Sequence, residues 1–379
     1  MEGLKYYMNI SPDSILLPVT PNRPLEDVEQ KEYFGEVLFR THSIYDLTEN
    51  ILYDSQHVKY DKSYQNNQSL SAAFLKHLDV VSAIIMRHSK CHSTVIEVGC
   101  GKGDFLNQLE NKGYTSLIGF DATYEGNKPN IQPRYLDNSD KIDAEFIVAR
   151  HMLDYIAAPQ QYLSFLNKIN KNKNAKIYIE VPCFNYIKDN NSFFDITYER
   201  INYFTLKTLI ALFDGNLLES GTLFNDQYIY IVAELSKLSQ LLLLEYEKPD
   251  HWNIETFVHL FPQLLGSIIS YKEIINNSSD NDIKKRIFIW GASTKGCLFL
   301  YHYKRVTGSI ENFPFLIDIN PEKIGKFAPG TKVPICSPSE FFSIATENDV
   351  VIIPNANYEQ EIRQQLIQAG LKDILLLSF

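Results

Sequence analysis

The sequence is poor in cysteine, in excess positive charge and in long apolar runs. Its 379 residues carry 36 Lys and Arg against 46 Asp and Glu, a formal net charge of −10, with no basic stripe that could track phosphates. A nucleic-acid partner is therefore not expected. Apolar runs such as Leu241–Leu244 are far too short for a bilayer, and the N-terminus lacks the apolar core of a signal peptide. These absences predict a cytoplasmic protein without membrane contact.

The five cysteines, Cys91, Cys100, Cys183, Cys297 and Cys336, are scattered and form no C-x-x-C pair. Reduced and mostly buried thiols fit this spacing better than disulfides or a structural zinc site, so no metal is expected. The length predicts two or three domains, and the 45% hydrophobic content is enough for full-size cores.

The most informative stretch runs from Thr94 to Phe105 and reads TVIEVGCGKGDF. A β-branched apolar segment leads into glycines at three alternate positions, and apolar residues at helical spacing follow. Strand, glycine turn and helix in this order open a doubly wound α/β sheet, whose ligand lies at the carboxyl end of the first strand. Glycine suits the turn because it tolerates positive φ and lets a ligand approach the backbone closely.

The glycine spacing is G-x-G-x-G, not the dinucleotide fingerprint G-x-G-x-x-G, and an acid, Glu97, stands inside the strand. This form resembles motif I of class I S-adenosylmethionine (SAM) methyltransferases. A second strand, Leu117–Asp121, ends in an acid about twenty residues on, where it can accept hydrogen bonds from both ribose hydroxyls. Another nucleotide ligand and a purely structural turn are the alternatives. The residues expected to hold SAM are Glu97, Gly99, Cys100, Gly101, Gly103, Asp121 and Ala149.

Strands and helices alternate from Thr94 to about Glu234, which predicts one α/β domain with a mainly parallel sheet. The last two strands have a short connection and predict an antiparallel hairpin. The expected strands lie near residues 94–98, 116–120, 145–149, 175–181, 217–223 and 227–234, with helices at 160–169 and 205–213. A preceding helix that covers the sheet is predicted by the apolar stripe of Leu70, Phe74, Leu78, Val81 and Ile85.

A second α/β unit begins at Arg286 with RIFIW, followed by the glycine turn Gly291–Gly296 and an apolar helix; further helices are expected at Pro338–Ile344 and Glu359–Gln368. Asp318 ends the second strand, where an NAD-binding domain places its ribose acid. Because the turn, GASTKG, lacks the dinucleotide spacing, a substrate-gripping Rossmann-like domain is favoured over an NAD site. The chain thus divides into an N-terminal segment (1–65), a SAM-binding domain (66–235), a helical linker (236–284) containing the polar run Asn276–Asp282, and a C-terminal domain (285–379).

From about Tyr60 onward the chain resembles the three-domain sugar C-methyltransferases that act on nucleoside-diphosphate keto-deoxysugars. The resemblance implies that SAM binds in the middle domain and a sugar nucleotide in the cleft facing the C-terminal domain. The Tyr60–Gln68 stretch is a candidate lid over SAM. The resemblance rests on YDKSYQNNQS, EVGCGKGDFL, ARHMLDYIAAPQQYL, IEVPCF, FFDITYERINYFTLKTL, GASTKG, DINPEKIGKFAPGTKVPI and PNANYEQEI.

Three departures from that family bear on mechanism. The family opens with a zinc domain of four cysteines, but no cysteine precedes Cys91, so residues 1–65 are interpreted as a metal-free remnant. The family motif E-H-x-x-Y-F carries a histidine proposed as general base, and Arg200 stands in its place. The histidine of the family motif L-E-H-I is replaced by Tyr155.

Methylation of a carbon next to a ketone requires a base, and arginine cannot be that base because it stays protonated. The candidate bases are His151, Tyr155, Tyr198 and Glu199, while Arg200 is suited to stabilise an enolate or to hold an anion. An oxygen or nitrogen acceptor would need mainly positioning, and a chain without a base would be a non-catalytic SAM-binding protein. Contacts to the acceptor are expected from Arg200, Asn202, Lys295, Asn355, Asn357 and Tyr358.

Overall fold

The computed structural model of the chain describes residues 15–61, 63–239, 249–277 and 285–379. They form a small antiparallel N-terminal part and two α/β domains. Two parts of the predicted helical linker fall outside the described residues: the apolar run Leu241–Leu244 and the larger part of the polar run Asn276–Asp282.

The N-terminal part consists of short antiparallel strands. Strands β1 (Ile15–Pro18) and β2 (Phe34–Val37) pair with each other. A four-stranded sheet has the order β10-β4-β3-β13 and takes strands from three distant parts of the chain. Its strands are β3 (Phe39–His42), β4 (Thr48–Asn50), β10 (Asn202–Tyr203) and β13 (Trp252–Glu255).

Strand β13 corrects the expectation that residues 236–284 form only a helical linker. Its residues pair antiparallel with β3, and the Arg40 guanidinium lies 4.2 Å from the centre of the Trp252 ring. Helices do follow it, at α6 (Phe257–Leu260) and α7 (Leu264–Asn277), and Phe257, Phe261 and Ile268 are buried there. The linker region is therefore partly built into the N-terminal sheet.

The middle domain is a seven-stranded sheet of the order β11-β12-β9-β8-β5-β6-β7, parallel except for the last hairpin. All six predicted strands are confirmed to within one residue, whereas the two-residue strand β7 was not predicted. The strands are β5 (Thr94–Val98), β6 (Ser116–Phe120), β7 (Ile131–Gln132), β8 (Phe146–Arg150), β9 (Lys176–Pro182), β11 (Leu217–Leu223) and β12 (Tyr228–Glu234).

Helices cover this sheet, and the first of them starts later than its apolar stripe suggested. Ser71 caps it by accepting hydrogen bonds from Ala73 and Phe74, so Leu70 lies outside the helix and is exposed. The other stripe residues are buried against the sheet. The helices are α1 (Ala72–His88), α2 (Asp104–Asn111), α3 (Pro159–Ile169), α4 (Phe184–Asp189) and α5 (Leu206–Ala211).

The C-terminal domain is a five-stranded parallel sheet of the order β16-β15-β14-β17-β18, which confirms the second Rossmann-like unit. Its inner strands are continuous apolar runs because both faces of the sheet are covered. The strands are β14 (Ile287–Trp290), β15 (Leu316–Ile317), β16 (Ile335–Cys336), β17 (Val350–Ile353) and β18 (Leu375–Ser378); the helices are α8 (Thr294–Thr307), α9 (Pro338–Ile344) and α10 (Glu359–Gln368).

Several polar contacts join the C-terminal domain to the rest of the chain, two groups of them at the starts of helices. Glu361 accepts hydrogen bonds from the Ser71 hydroxyl at 2.6 Å and the Ala73 amide at 2.9 Å, at the start of α1. The Asn22 amide bonds both the hydroxyl and the backbone N–H of Thr294, at the start of α8. All five cysteines are free, four of them buried. Among the described helices, none has the length and apolar character needed to cross a membrane.

Candidate active site

The turn after β5 forms one wall of a cavity, here called the glycine-loop cavity. Gly99 and Gly101 have φ values of 72° and 54°, in the left-handed region that favours glycine. The Gly101 N–H donates to Asp121 Oδ2 at 2.8 Å, so the acid at the end of β6 fixes the turn. Five residues of the predicted SAM set line this cavity: Glu97, Gly99, Cys100, Gly101 and Asp121.

Two residues of the predicted SAM set do not line it. Gly103 is the residue before α2 and has a φ of 81°, in the left-handed region that favours glycine, so the backbone explains its presence. Ala149 is fully buried inside the sheet, and the following residue, Arg150, lines the cavity instead.

Glu97 carries an unusual charge environment at the end of β5. Its side chain is buried, 3.7 Å from Arg150 Nη1, and Oε2 has no hydrogen-bond partner within the described chain. Burial raises the pKa of Glu97 to about 8, and the Arg150 guanidinium only partly opposes this. An acceptor oxygen left unpaired in a cavity fits a ligand that brings positive charge, such as the sulfonium or ammonium of SAM.

The Tyr60–Gln68 stretch borders the same cavity. Tyr60, Tyr64 and the run 66–68 line it opposite the glycine loop. The Tyr64 hydroxyl donates to Glu199 Oε1 at 3.2 Å. This placement agrees with the expectation of a lid, which remains a prediction.

A second cavity, here called the interdomain cavity, lies between the middle and C-terminal domains. His151, Tyr155 and the run 66–68 line both cavities, so the two meet there. Predicted acceptor residues that line the interdomain cavity are Arg200, Lys295, Asn355 and Tyr358, joined by Asp154, Asp195, Asp318 and Lys323.

The basic side chains of this cavity are already paired. Arg200 Nε lies 3.1 Å from Asp154 Oδ2, and Nη1 donates to the Asp195 carbonyl at 2.7 Å. Lys295 Nζ lies 3.1 Å from Asp195 Oδ2, and Lys323 Nζ lies 3.4 Å from Asp318 Oδ2. Although burial opposes it, Lys295 and Arg200 hold the pKa of Asp195 below its usual value. An anionic ligand would therefore have to exchange with these acids.

His151 occupies the junction of the two cavities. It follows β8 with a left-handed φ of 49°, and its ring packs edge-on against Tyr228, with centroids 4.5 Å apart. Its Nε2 lies 2.8 Å from Glu180 Oε1, with an angle too bent for a regular hydrogen bond. Glu180 also accepts a hydrogen bond from His77 at 2.9 Å. The contact between Glu180 and His77 could not be predicted from the sequence, because the two residues lie 103 positions apart.

Three residues predicted as catalytic or acceptor-binding form hydrogen bonds with other parts of the chain. Tyr198 lines neither cavity, and its hydroxyl accepts from the Asp54 N–H at 2.9 Å. Asn202 is fully buried and donates to the Ile156 carbonyl at 2.6 Å. Asn357 joins the domains by donating to the Phe224 carbonyl at 3.0 Å.

Glu199 is fully buried and lines neither cavity, but it contacts the wall of the glycine-loop cavity through Tyr64. Burial raises the pKa of Glu199 to about 8, opposed by the Tyr64 hydrogen bond and by Arg200. Tyr155 lines both cavities, and burial raises the pKa of its hydroxyl well above the usual value, so it stays protonated.

Comparison with known proteins gives two family matches along the chain. Residues 75–216 match a methyltransferase domain, and residues 273–373 match a C-methyltransferase C-terminal domain. No curated protein sequence matches the chain significantly. The two matches lie in the order predicted for the middle and C-terminal units and support a SAM-dependent C-methyltransferase family.

Solved structures resemble the chain only at low similarity. Magnesium protoporphyrin IX methyltransferase from Synechocystis with bound S-adenosylhomocysteine (SAH) is 15% identical, covers 44% of this chain and 86% of its own, and has a TM-score of 0.33. A SAM-dependent methyltransferase from Aquifex aeolicus is 13% identical, and the match covers 46% of this chain and 98% of the other, with a TM-score of 0.32.

The glycine loop, the acid after β6 and the two family matches together define the class of protein. The chain is a SAM-dependent methyltransferase with a Rossmann-like middle domain. Its C-terminal part is the kind of domain that accompanies C-methyltransferases.

Proposed function

We propose that this methyltransferase transfers the methyl group of SAM to a nucleotide-linked keto- or deoxysugar. The observation that carries the proposal is the meeting of the two cavities at His151 and Tyr155. A methyl donor beside the glycine loop and an acceptor held by the C-terminal domain would approach each other at this junction, where positioning favours transfer. The proposal includes the SAM contacts of Glu97, Gly99, Cys100, Gly101 and Asp121.

The acceptor contacts are part of the same proposal. Lys295, Asn355 and Tyr358 are assigned to the nucleotide-linked acceptor because they line the interdomain cavity on the C-terminal side. Arg200 is assigned an electrostatic role near the acceptor, since two acids fix its guanidinium and it cannot take a proton. A diphosphate would compete with Asp195 for Lys295.

A carbon acceptor is favoured by the match of the C-terminal domain, and it needs a base at the junction. His151 is our candidate for that base because it lines both cavities. An oxygen or nitrogen acceptor is the second candidate. It is favoured by Arg200 standing where the resembling family has its histidine.

The test is turnover with SAM carrying a ¹³C-labelled methyl group and a set of nucleoside-diphosphate keto-deoxysugars. We expect SAH formation and a product whose labelled methyl is attached to carbon by NMR. An oxygen- or nitrogen-bound methyl would select the second candidate. Tight SAM binding without SAH formation on any sugar nucleotide would overturn the proposal and leave a binding protein. The Lys295→Met variant should raise KM for the acceptor and leave SAM affinity unchanged.

A further inference from the structure

A buried carboxylate lies directly behind His151. Glu180 is on β9 beside the last residue of β8, and its backbone carbonyl accepts the His151 N–H at 2.8 Å. Its side chain is fully buried. Because His151 itself adopts the left-handed conformation, its imidazole faces back toward Glu180 on β9.

The Glu180 carboxylate is held from several sides. Oε1 lies 2.9 Å from His77 Nε2 and 2.8 Å from His151 Nε2, while Oε2 accepts a hydrogen bond from the Tyr178 hydroxyl. Arg150 Nη2 lies 3.8 Å from Oε1. Although burial favours the neutral acid, His77 and Arg150 hold the pKa of Glu180 well below its usual value, so it faces His151 as an anion.

An anionic carboxylate can only accept hydrogen bonds, and this assigns the tautomer of His151. The hydrogen of the neutral ring belongs on Nε2, facing Glu180, and Nδ1 is left with a free lone pair. Nε2 is the buried nitrogen, and no hydrogen bond to Nδ1 is formed by any described residue. The bent Nε2 contact is of the kind that straightens when an acceptor is bound.

We infer that Glu180 and His77 are positioning residues that make His151 the proton acceptor of the methyl-transfer reaction. The inference rests on the proposed role of His151. The acceptor gives its proton to His151 Nδ1 as its electron pair forms the new bond to the methyl carbon. Bound SAM supplies that methyl group, and its sulfur keeps the bonding pair and leaves as SAH. The resulting imidazolium is stabilised by Glu180 through Nε2–H, and His77 keeps Glu180 in place.

The same three side chains could also hold a divalent cation, since their ligand atoms lie within 4.8 Å of one another. The Arg150 guanidinium beside Oε1 opposes a second positive charge there. The Tyr178 hydroxyl also occupies the other carboxylate oxygen. These two contacts favour proton handling over metal binding.

The chain contains a matched control pair outside both cavities. Glu219 on β11 contacts His88 Nε2 at 2.7 Å and also pairs with Arg87, so a carboxylate again lies between a histidine and an arginine. Neither residue lines the glycine-loop cavity or the interdomain cavity. Glu219→Gln removes the same chemistry at a site without a proposed role.

The first experiment is NMR of ¹⁵N-histidine-labelled full-length protein saturated with SAH, which needs no acceptor. We expect neutral His151 to carry its hydrogen on Nε2, and Glu180→Gln to shift the ¹⁵N resonances of the ring because it loses its anionic acceptor. The other titratable or charged groups near the ring are His77, Arg150, Asp154 and Tyr228, and the variant leaves them unsubstituted. Glu219→Gln should shift His88 and leave His151 unchanged. An unshifted His151, an Nδ1–H tautomer, or stoichiometric zinc or iron in the purified protein would overturn the inference.

The second experiment uses whichever acceptor the turnover screen supplies. Glu180→Gln should lower kcat about 10- to 100-fold and move the acid limb of the pH–rate profile to lower pH, with SAM affinity retained. His77→Leu should give a smaller loss that His77→Gln, which keeps a donor for Glu180, largely restores. Equal losses in both His77 variants would contradict positioning. Because the NMR experiment involves no acceptor, a failed screen overturns the proposed function without touching the positioning result.

Discussion

The two α/β domains carry glycine turns at equivalent places, but the turns have different surroundings. The turn after β5 follows Glu97 and lines an open cavity, and its neighbour Asp121 fixes the Gly101 N–H. The turn after β14 follows the apolar Ile289 in place of an acid. The start of α8 there is capped by Asn22 from the N-terminal part.

The acids after the second strands differ in the same way. The Asp121 carboxylate accepts from the Gly101 N–H of the first turn and from the N–H and hydroxyl of Thr123, and it lines the glycine-loop cavity. Asp318 accepts from the Asn320 N–H and faces the Lys323 ammonium. The first turn therefore lines the glycine-loop cavity and the second lines the interdomain cavity, so one pattern of strand, turn and helix does not imply one ligand.

The largest effect that should separate the two turns comes from their acids. Asp121→Ala removes the proposed ribose acceptor and the fixed hydrogen bond to Gly101, so SAM affinity should fall about 100-fold or more, about 2.7 kcal/mol. Asp318→Ala should change it less than about twofold. Isothermal titration calorimetry with SAM, SAH and NAD measures this. Equal losses of SAM affinity in the two variants, or binding heat with NAD, would contradict the proposed difference between the two turns.

The second turn should be more sensitive in stability than in binding. An added Cβ at Gly296 would come within 1.9 Å of the Gly291 carbonyl oxygen. Gly296→Ala should therefore destabilise the protein by about 1–3 kcal/mol, seen as a lower Tm. Gly266 in α7 has nothing within 4 Å of its added Cβ, so Gly266→Ala should stabilise it by about 0.5–1 kcal/mol. An unchanged Tm in the Gly296→Ala variant would show that the turn can accommodate a Cβ atom.

The smallest effect concerns Glu97, the acid in the strand before the first turn, whose counterpart before the second turn is Ile289. Since the pKa of Glu97 is about 8, the residue is mostly protonated at neutral pH. A cationic ligand beside it favours the anion, so binding should release a proton and SAM affinity should rise with pH up to about 8. The rise is at most about tenfold per pH unit. Calorimetry in buffers of different ionisation enthalpy measures the released proton.

Glu97→Gln is the control for that linkage. It should flatten the dependence of SAM affinity on pH between about 6 and 8. A pH dependence that survives in the variant would assign the proton to another group.

The sequence predicted six strands of the middle sheet closely because most of them are apolar runs rich in β-branched residues and bounded by turns. It missed β13 because the pairing of Trp252–Glu255 with β3 depends on residues two hundred positions away and leaves little local pattern. The two-residue strands β7 and β16 are too short for any periodicity.

The sequence brought residues of one local turn together: Glu97, Gly101 and Asp121 all line the glycine-loop cavity, and their contacts to SAM stay a prediction. Prediction was poorer where a motif shows which part of the chain lies near the site but not which of its side chains face the cavity. Tyr198 and Asn202 lie in the same motif as Arg200, yet their side chains turn into the scaffold. The carboxylate behind His151 belongs to another strand, so no spacing along the chain could reveal it.

The interleaved N-terminal sheet has a consequence for how the protein is made. Its edge strand β13 is formed by Trp252–Glu255, and β10 comes from within the middle domain. On the ribosome, β3 and β4 must therefore wait for more than two hundred further residues before their sheet can be completed. Strands β3 and β4 thus complete their sheet late although they precede both α/β domains in the chain, and a nascent chain halted before residue 252 exposes an unpaired strand edge to chaperones and proteases.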